Sequence, residues 1–180
     1  PTSQTSGTQP SGDSSPQTGL TTRNGFNIEF DYRFAQGQFS EIEQQKLEEA
    51  ARIWASFIDS EFPNVPAGTQ LTVTDPTTGE QKTIILEQDI DDLLIFVGTR
   101  SDLGNVSASA APDLYTLNGT TFQPYVGYIY FNRDNSSNKV NIPLTIHELG
   151  HALGIGADQT GQFSSASFDG DNARRANGGS

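Results

Sequence analysis

The sequence predicts an α/β (α+β) fold, and three observations lead to that prediction. A period-two strand pattern at 26–32 precedes a long amphipathic helix pattern at 40–61. Several short strand patterns follow, and one of them, at 93–97, is apolar throughout. A last helix pattern covers 144–153. The order strand, helix, strands, helix is typical of helices layered on a mainly parallel or mixed sheet.

The apolar residues are concentrated in the middle of the chain, which predicts one folded domain at about 25–158. The chain has 180 residues, a length that suits a single domain. Residues 1–24 consist mostly of Ser, Thr, Gln, Gly and Pro, a composition that buries too little apolar surface to offset ordering entropy. We therefore expect a disordered linker at 1–24 and a Gly/Ser-rich tail at 159–180.

The charge of the chain restricts its partners. The net charge is −12, and no basic cluster is larger than Arg174-Arg175, which argues against nucleic acid and anionic membranes as partners. No Asp-x-Asp-x-Asp-Gly loop occurs, so Asp89, Asp91 and Asp92 are interpreted as solvated turn residues. Cysteine is absent, which excludes disulfides and thiolate metal sites.

The first helix has local signals at both ends. Ser40 precedes Glu43 by three residues, the spacing of a capping box. Apolar residues then recur at helical spacing as far as Ile58, and Pro63 cannot continue a helix. The pattern predicts a helix from about Ser40 to Glu61.

The middle of the chain reads as strands. The apolar-rich stretches 71–73 and 83–86 flank a turn sequence at 75–79, which predicts a β-hairpin. The continuous apolar run 93–97 is typical of a strand that is buried on both faces.

The second half of the chain is less regular. Segment 100–124 lacks periodicity and is rich in turn residues, which predicts a long loop that has room for a short edge strand. A strand pattern returns at 125–132. Asn141 suits a helix N-cap and Pro143 an early helix position, so we expect a helix to carry 144–153.

That last helix carries the pattern H-E-x-x-H, formed by His147, Glu148 and His151. Residues four apart lie on one helix face, so both imidazoles can reach a single metal ion. Glu148 follows the first histidine and lies beside the metal, where a carboxylate can take a proton from an attacking water. The pattern predicts two metal ligands and one general base.

The alternative is a helix in which two histidines flank a glutamate by chance. The chain contains two histidines, and both lie in the motif. The apolar residues around them predict a buried helix, and buried polar groups need partners, for which a metal is the natural choice. Two neutral imidazoles beside an acid favour Zn²⁺.

The longer string HELGHALG at 147–154 resembles the metzincin signature H-E-x-x-H-x-x-G-x-x-H, and specifically its matrixin branch. Segment 50–54 resembles the matrixin first helix, which carries a Trp at this place. Segment 105–112 resembles the loop and edge strand along the substrate cleft, and 127–132 the strand that leads to the zinc helix. The chain is most similar to bacterial, often cyanobacterial, matrixin-like proteins.

The resemblance implies a metzincin-like catalytic subdomain, with a twisted mixed sheet, a long N-terminal helix and a zinc-binding active-site helix. It also implies a secreted, zinc-dependent endopeptidase whose polypeptide substrate lies along an edge strand. In this chain Zn²⁺ would be held by His147 and His151, with Glu148 as general base. The chain begins with Pro and contains no Met, which indicates removal of an N-terminal segment, and both processing during export and trimming of the chain explain that.

The chain departs from the family pattern at the third ligand. That ligand belongs three residues after Gly154, where this chain has Ala157, and Asp158 comes one residue later. No Glu follows Glu148, which excludes the downstream glutamate ligand of gluzincins. The third ligand is therefore Asp158 or a residue beyond Ser180, and Asp169 and Asp171 are weaker candidates.

The methionine turn that metzincins place beneath zinc is also missing. Both departures are explained if the chain stops before its C-terminal subdomain. Two other functions stay open: a catalytically incomplete metzincin-like domain that binds a partner or acts as a scaffold, and a zinc hydrolase of non-peptide amides. Cleavage specificity and oligomeric state are not predicted.

Overall fold

The structure is a computed structural model that describes residues 25–101, 103–118, 121–134, 140–156, 163–164 and 167–168. The predicted linker at 1–24 lies outside these residues, as does most of the predicted tail. In chain order the elements are β1 (Ile28–Asp31), α1 (Glu41–Ala55), β2 (Gln70–Thr74), β3 (Gln81–Ile85), β4 (Leu93–Arg100), β5 (Ala108–Asn118), β6 (Thr121–Asn132), α2 (Ile142–Ala152), β7 (Phe163–Ser164) and β8 (Ser167–Phe168).

A four-stranded mixed sheet with the order β1-β4-β6-β5 organises the molecule. The pairs β1–β4 and β4–β6 are parallel, whereas β5 is antiparallel to β6. Strands β2 and β3 form a separate antiparallel pair, and β7 and β8 another. The predicted α/β class with a mixed sheet and two helices is confirmed for the described residues.

Strand β4 is buried on both faces, as its apolar run predicts. Leu93, Ile95 and Val97 belong to the core cluster that contains residues of α1 and α2. Leu94 and Phe96 alternate with them and belong to a second cluster with residues of the β2–β3 hairpin. The sheet therefore has helices on one face and a hairpin on the other.

Helix α1 begins as predicted and ends earlier. Ser40 accepts a hydrogen bond from the backbone of Glu43, whose carboxylate accepts from the backbone N–H of Ser40 at 2.9 Å, a complete capping box. The helix ends at Ala55, with Ser56 as its C-cap, so the predicted end near Glu61 was wrong. Phe57 is 75% exposed, so a further helical turn would bury little apolar surface and would gain little stability from packing.

The predicted hairpin at 71–86 is confirmed as β2 and β3, which are closed by a turn that Asp75 organises. Its carboxylate accepts from the backbone N–H and hydroxyl of Thr77 at 2.8 and 2.7 Å. The next residue, Pro76, lies against Gly98 of β4. A Cβ atom at position 98 would lie 2.8 Å from Pro76 side-chain carbons and 2.9 Å from its backbone carbon.

Gly98→Ala is therefore expected to destabilise the protein by about 1–3 kcal/mol, because overpacking against backbone cannot be relieved by a rotamer change. Urea unfolding should show a lower midpoint with an unchanged m-value. Gly104→Ala is the control: nothing lies within 4 Å of a Cβ there, although φ is +58°. Because the control carries backbone strain of its own at this φ, the packing argument is contradicted if Gly98→Ala loses less than about 1 kcal/mol.

The segment 100–124 is mostly strand, so the predicted long loop was wrong, whereas the edge strand that the prediction allowed is present and is longer than expected. Strand β5 covers Ala108–Asn118 and pairs with β6, which begins at Thr121 rather than near residue 125. The register of the pair shifts at Pro112 and Leu114. Such a bulge interrupts the period-two alternation, which explains why the sequence pattern did not predict a strand.

The aspartates in the turn before β4 are not all solvated, although the sequence predicts them to be. Asp89 is exposed, as expected of a solvated turn residue. Asp92 is fully buried, however, and its φ of +73° places it in the left-handed region that a non-glycine residue rarely adopts. Asp91 is half-buried. The solvated interpretation was therefore wrong for Asp92.

Candidate metal centre

Residues at both ends of helix α2 determine where the helix that carries the motif begins and ends. Asn141 is the N-cap, and its side chain accepts from the backbone N–H of Leu144 at 3.0 Å. Beyond the helix, Gly154 and Gly156 have φ values of +92° and +83°, which turn the chain away. The helix predicted from the motif is confirmed, with bounds one to two residues earlier than expected.

The two histidines of the motif converge. The Nε2 atoms of His147 and His151 are 3.1 Å apart, and the ring planes are nearly perpendicular, at 89°. Two imidazoles bound to one tetrahedral zinc at about 2.0–2.1 Å each would have nitrogens roughly 3.3 Å apart. His147 is exposed and His151 is half-buried, so the paired nitrogens face accessible space. The donor pair therefore suits a zinc ion.

The tautomer of His151 is fixed by the turn that follows the helix. Its Nδ1 lies 2.8 Å from the carbonyl oxygen of Ile155, which can only accept, so Nδ1 carries the proton. The lone pair is then on Nε2, the atom that faces His147. A Cβ at position 156 would lie 3.2 Å from the His151 ring, so Gly156 allows this close packing. Metal-binding histidines commonly have such a second hydrogen bond.

Glu148 lies on the buried side of the same turn. Its side chain is 4% exposed, and its Oε2 is buried without a hydrogen-bond partner in the described part of the chain. Burial raises the pKa of this carboxyl, and the nearby imidazoles of His147 and His151 oppose the rise. A buried carboxylate oxygen without a partner is rare in structural positions and frequent at functional sites.

Helix α1 packs against helix α2 and contacts the turn that carries His147. The indole Nε1 of Trp54 donates to the carbonyl oxygen of Ile146 at 2.7 Å, directly before His147. A Cβ at position 150 would lie 3.2 Å from the indole ring, so Gly150 lets the two helices approach. The sequence marked Trp54 as a landmark of resemblance but gave it no contact with the site.

Trp54→Phe is expected to lower stability by about 1–2 kcal/mol, because the variant loses the hydrogen bond to Ile146 and part of the ring contact. The zinc affinity should fall as well, since the indole no longer holds the backbone of Ile146, directly before His147. Phe57→Ala, at a 75% exposed position just beyond α1, is the matched control and should change stability by less than about 0.5 kcal/mol. Thermal unfolding with and without zinc measures both effects.

No third ligand accompanies the histidines within the described residues. There, the group of three acidic or histidine side chains whose ligand atoms lie within 4.8 Å of one another is Glu61, Asp91 and Asp92, which includes no residue of the motif. Glu148 is thus not close enough to complete a three-ligand set with both histidines. The predicted third-ligand candidates, Asp158, Asp169 and Asp171, lie outside the described residues.

No protein-family model matches the chain, and no curated protein matches it either. The described helices include none with the length and apolar character needed to span a membrane.

Proposed function

We propose that this chain is a zinc-dependent endopeptidase with a metzincin-like fold, in which His147 and His151 hold Zn²⁺ and Glu148 is the general base. One observation carries the proposal. Two Nε2 atoms 3.1 Å apart lie on the same helical turn as a buried glutamate oxygen that has no partner in the described part. A purely structural helix has no need of that combination.

The residues of this chain have separate tasks in the reaction. The Nε2 atoms of His147 and His151 lie close enough to bind one ion, and the Ile155 carbonyl keeps the His151 ring in the tautomer whose Nε2 has a lone pair for it. A bound zinc ion supplies Lewis acidity there. Glu148 accepts a proton from the attacking water at its free oxygen and returns it to the leaving amine, so the carboxylate is regenerated at the end of the cycle.

The surroundings of α2 favour a polypeptide substrate. Strand β5 is the outer strand of the sheet and pairs only with β6 among the described strands. Helix α2 contacts β5, so this outer strand packs beside the helix that carries the histidines. An extended peptide can bind to such an edge through main-chain hydrogen bonds, which holds a scissile bond near the metal.

The proposed domain bounds, partners and location are based on the sequence. The catalytic domain covers about 25–158, and the resemblance of segment 147–154 supports its metzincin character. The net charge of −12 disfavours nucleic acid and anionic membranes as partners. A secreted, extracellular protease accords with the chain's resemblance to matrixins.

A second candidate function is a metzincin-like domain that binds a partner without hydrolysis. The absence of a third ligand from the described residues favours it, because catalytic zinc sites usually have three protein ligands. Glu148 disfavours it, because a binding domain gains nothing from an unpartnered buried carboxylate.

The decisive experiment measures zinc content and hydrolysis on the same sample. The chain is stripped with a chelator, reloaded with zinc, and incubated with casein and with a quenched peptide library. We expect about one zinc per chain and cleavage that appears with zinc and disappears with chelator. Bound zinc without any turnover would exclude the peptidase and leave the binding function, and a chain that binds no zinc would overturn the peptidase proposal.

A further inference from the structure

Three chain segments meet where the parallel strands β1 and β4 begin. Asn27 directly precedes β1, Glu61 follows α1, and Asp91 and Asp92 precede β4. One carboxylate oxygen from each of the three acidic residues lies within 4.8 Å of the others. We call Asn27, Glu61, Asp91 and Asp92 the acidic junction.

The fold holds these carboxylates together without a basic partner. None of the ion pairs between described residues includes an acidic residue of the junction. The buried Asp92 accepts from the backbone N–H groups of Asn27 at 2.8 Å and Phe62 at 2.5 Å, which fixes its position. Asp91 is held by the side-chain amide of Asn27 at 2.6 Å. Mutual repulsion at this spacing is unfavourable unless a cation offsets it.

An independent observation at Asn27 also points to a cation. The residue is 6% exposed, and its Oδ1 is buried with no hydrogen-bond partner in the described part of the chain. Its Nδ2 donates to Asp91 at 2.6 Å, and Oδ1 is bonded to the same carbon as Nδ2, so Oδ1 lies within about 5 Å of that Asp91 oxygen. A buried amide oxygen without a partner calls for a water or an ion.

We propose that the acidic junction binds one Ca²⁺ ion through the carboxylates of Glu61, Asp91 and Asp92 and the Oδ1 of Asn27. Carboxylate and amide oxygens are the ligands that calcium prefers, in flexible sets of six to eight that water completes. Mg²⁺ demands stricter octahedral geometry and retains more of its water. The site contains no nitrogen ligand and is separate from the histidine pair, so it does not rest on the proposed peptidase function.

The bound ion would connect the start of β1, the segment after α1 and the turn before β4. These segments are 30 to 65 residues apart in sequence, as their hydrogen bonds show. A ligand that binds only the folded state raises the melting temperature. We therefore assign calcium a structural role in holding the beginnings of two sheet strands together.

The test is a calcium titration of the whole chain after EDTA treatment and reloading with zinc. Millimolar CaCl₂ is expected to raise Tm by about 4–10 °C, and calorimetry should show one site per chain. MgCl₂ at the same concentration and NaCl at matched ionic strength should give much smaller shifts. The exposed Glu61 allows a variant that leaves the core untouched: Glu61→Gln should weaken calcium binding at least tenfold.

Asp91→Asn is a second variant and should reduce the calcium-dependent shift in the same way. Glu41→Gln, at the opposite end of α1, makes the same charge change on an exposed residue and should leave the shift intact. The proposal is overturned if calcium gives no more stabilisation than magnesium, or if both junction variants retain the full wild-type shift. Loss of peptidase activity alone has no bearing on it.

Discussion

Glu148→Gln is expected to lower the kcat of peptide hydrolysis by about 10²–10⁴-fold while the protein stays folded and retains its zinc. Glutamine has the size of glutamate but cannot accept a proton from water. Because the Oε2 of Glu148 has no hydrogen-bond partner in the described part, the substitution breaks no hydrogen bond at that oxygen. Stopped-flow or continuous assays with a quenched peptide, together with metal analysis, measure both quantities.

The matched control is Glu87→Gln, which makes the same change at an exposed position outside α2. It should keep wild-type kcat and KM. Unchanged turnover in Glu148→Gln would remove the general base from the proposal. A loss of zinc in this variant would show that the carboxylate is a ligand, contrary to the geometry.

His151→Ala is expected to reduce zinc affinity by at least about 100-fold, since changes to outer-shell partners alone typically cost 10- to 100-fold. The variant removes one of the two converging Nε2 atoms and also the hydrogen bond to the Ile155 carbonyl. Competition with a chromophoric zinc chelator measures the affinity without any need for catalysis. His147→Ala should give a loss of similar size.

Gln123→Ala is the control for these variants, because its side chain bonds to the Glu61 carbonyl and not to the histidines. Circular dichroism should show that all three variants are folded, as His147 is exposed and His151 is half-buried. If zinc binds equally well to both histidine variants, the motif is not the metal site, and the peptidase proposal fails.

Local signals explain which parts of the fold could be predicted. The caps at Ser40 and Asn141 depend on residues within one helical turn, and both were identified from the sequence, Ser40 by its spacing from Glu43 and Asn141 by its residue type before Pro143. The apolar run of β4 predicted burial on both faces for a similar reason. The end of α1 was missed because the sequence still shows apolar residues at Phe57 and Ile58, whereas the three-dimensional packing leaves Phe57 exposed.

The same distinction applies to the candidate site. The convergence of His147 and His151 was predictable because their spacing of four follows from helix geometry. The indole support from Trp54 was not, since it joins residues 92 positions apart. Asp92 was misread as a solvated turn residue because its backbone partners, Asn27 and Phe62, are 65 and 30 residues away in sequence and reach it only in the folded chain.

Pro112 and the adjacent register shift have a consequence for the outer strand of the sheet. Proline has no N–H to offer a visiting chain, and the irregularity bends the strand just beyond it. A regular ladder on this side is thereby limited to the few residues that begin at Ala108. Such a short template captures only a brief stretch of extended polypeptide, and it protects the molecule from stacking strand upon strand into aggregates.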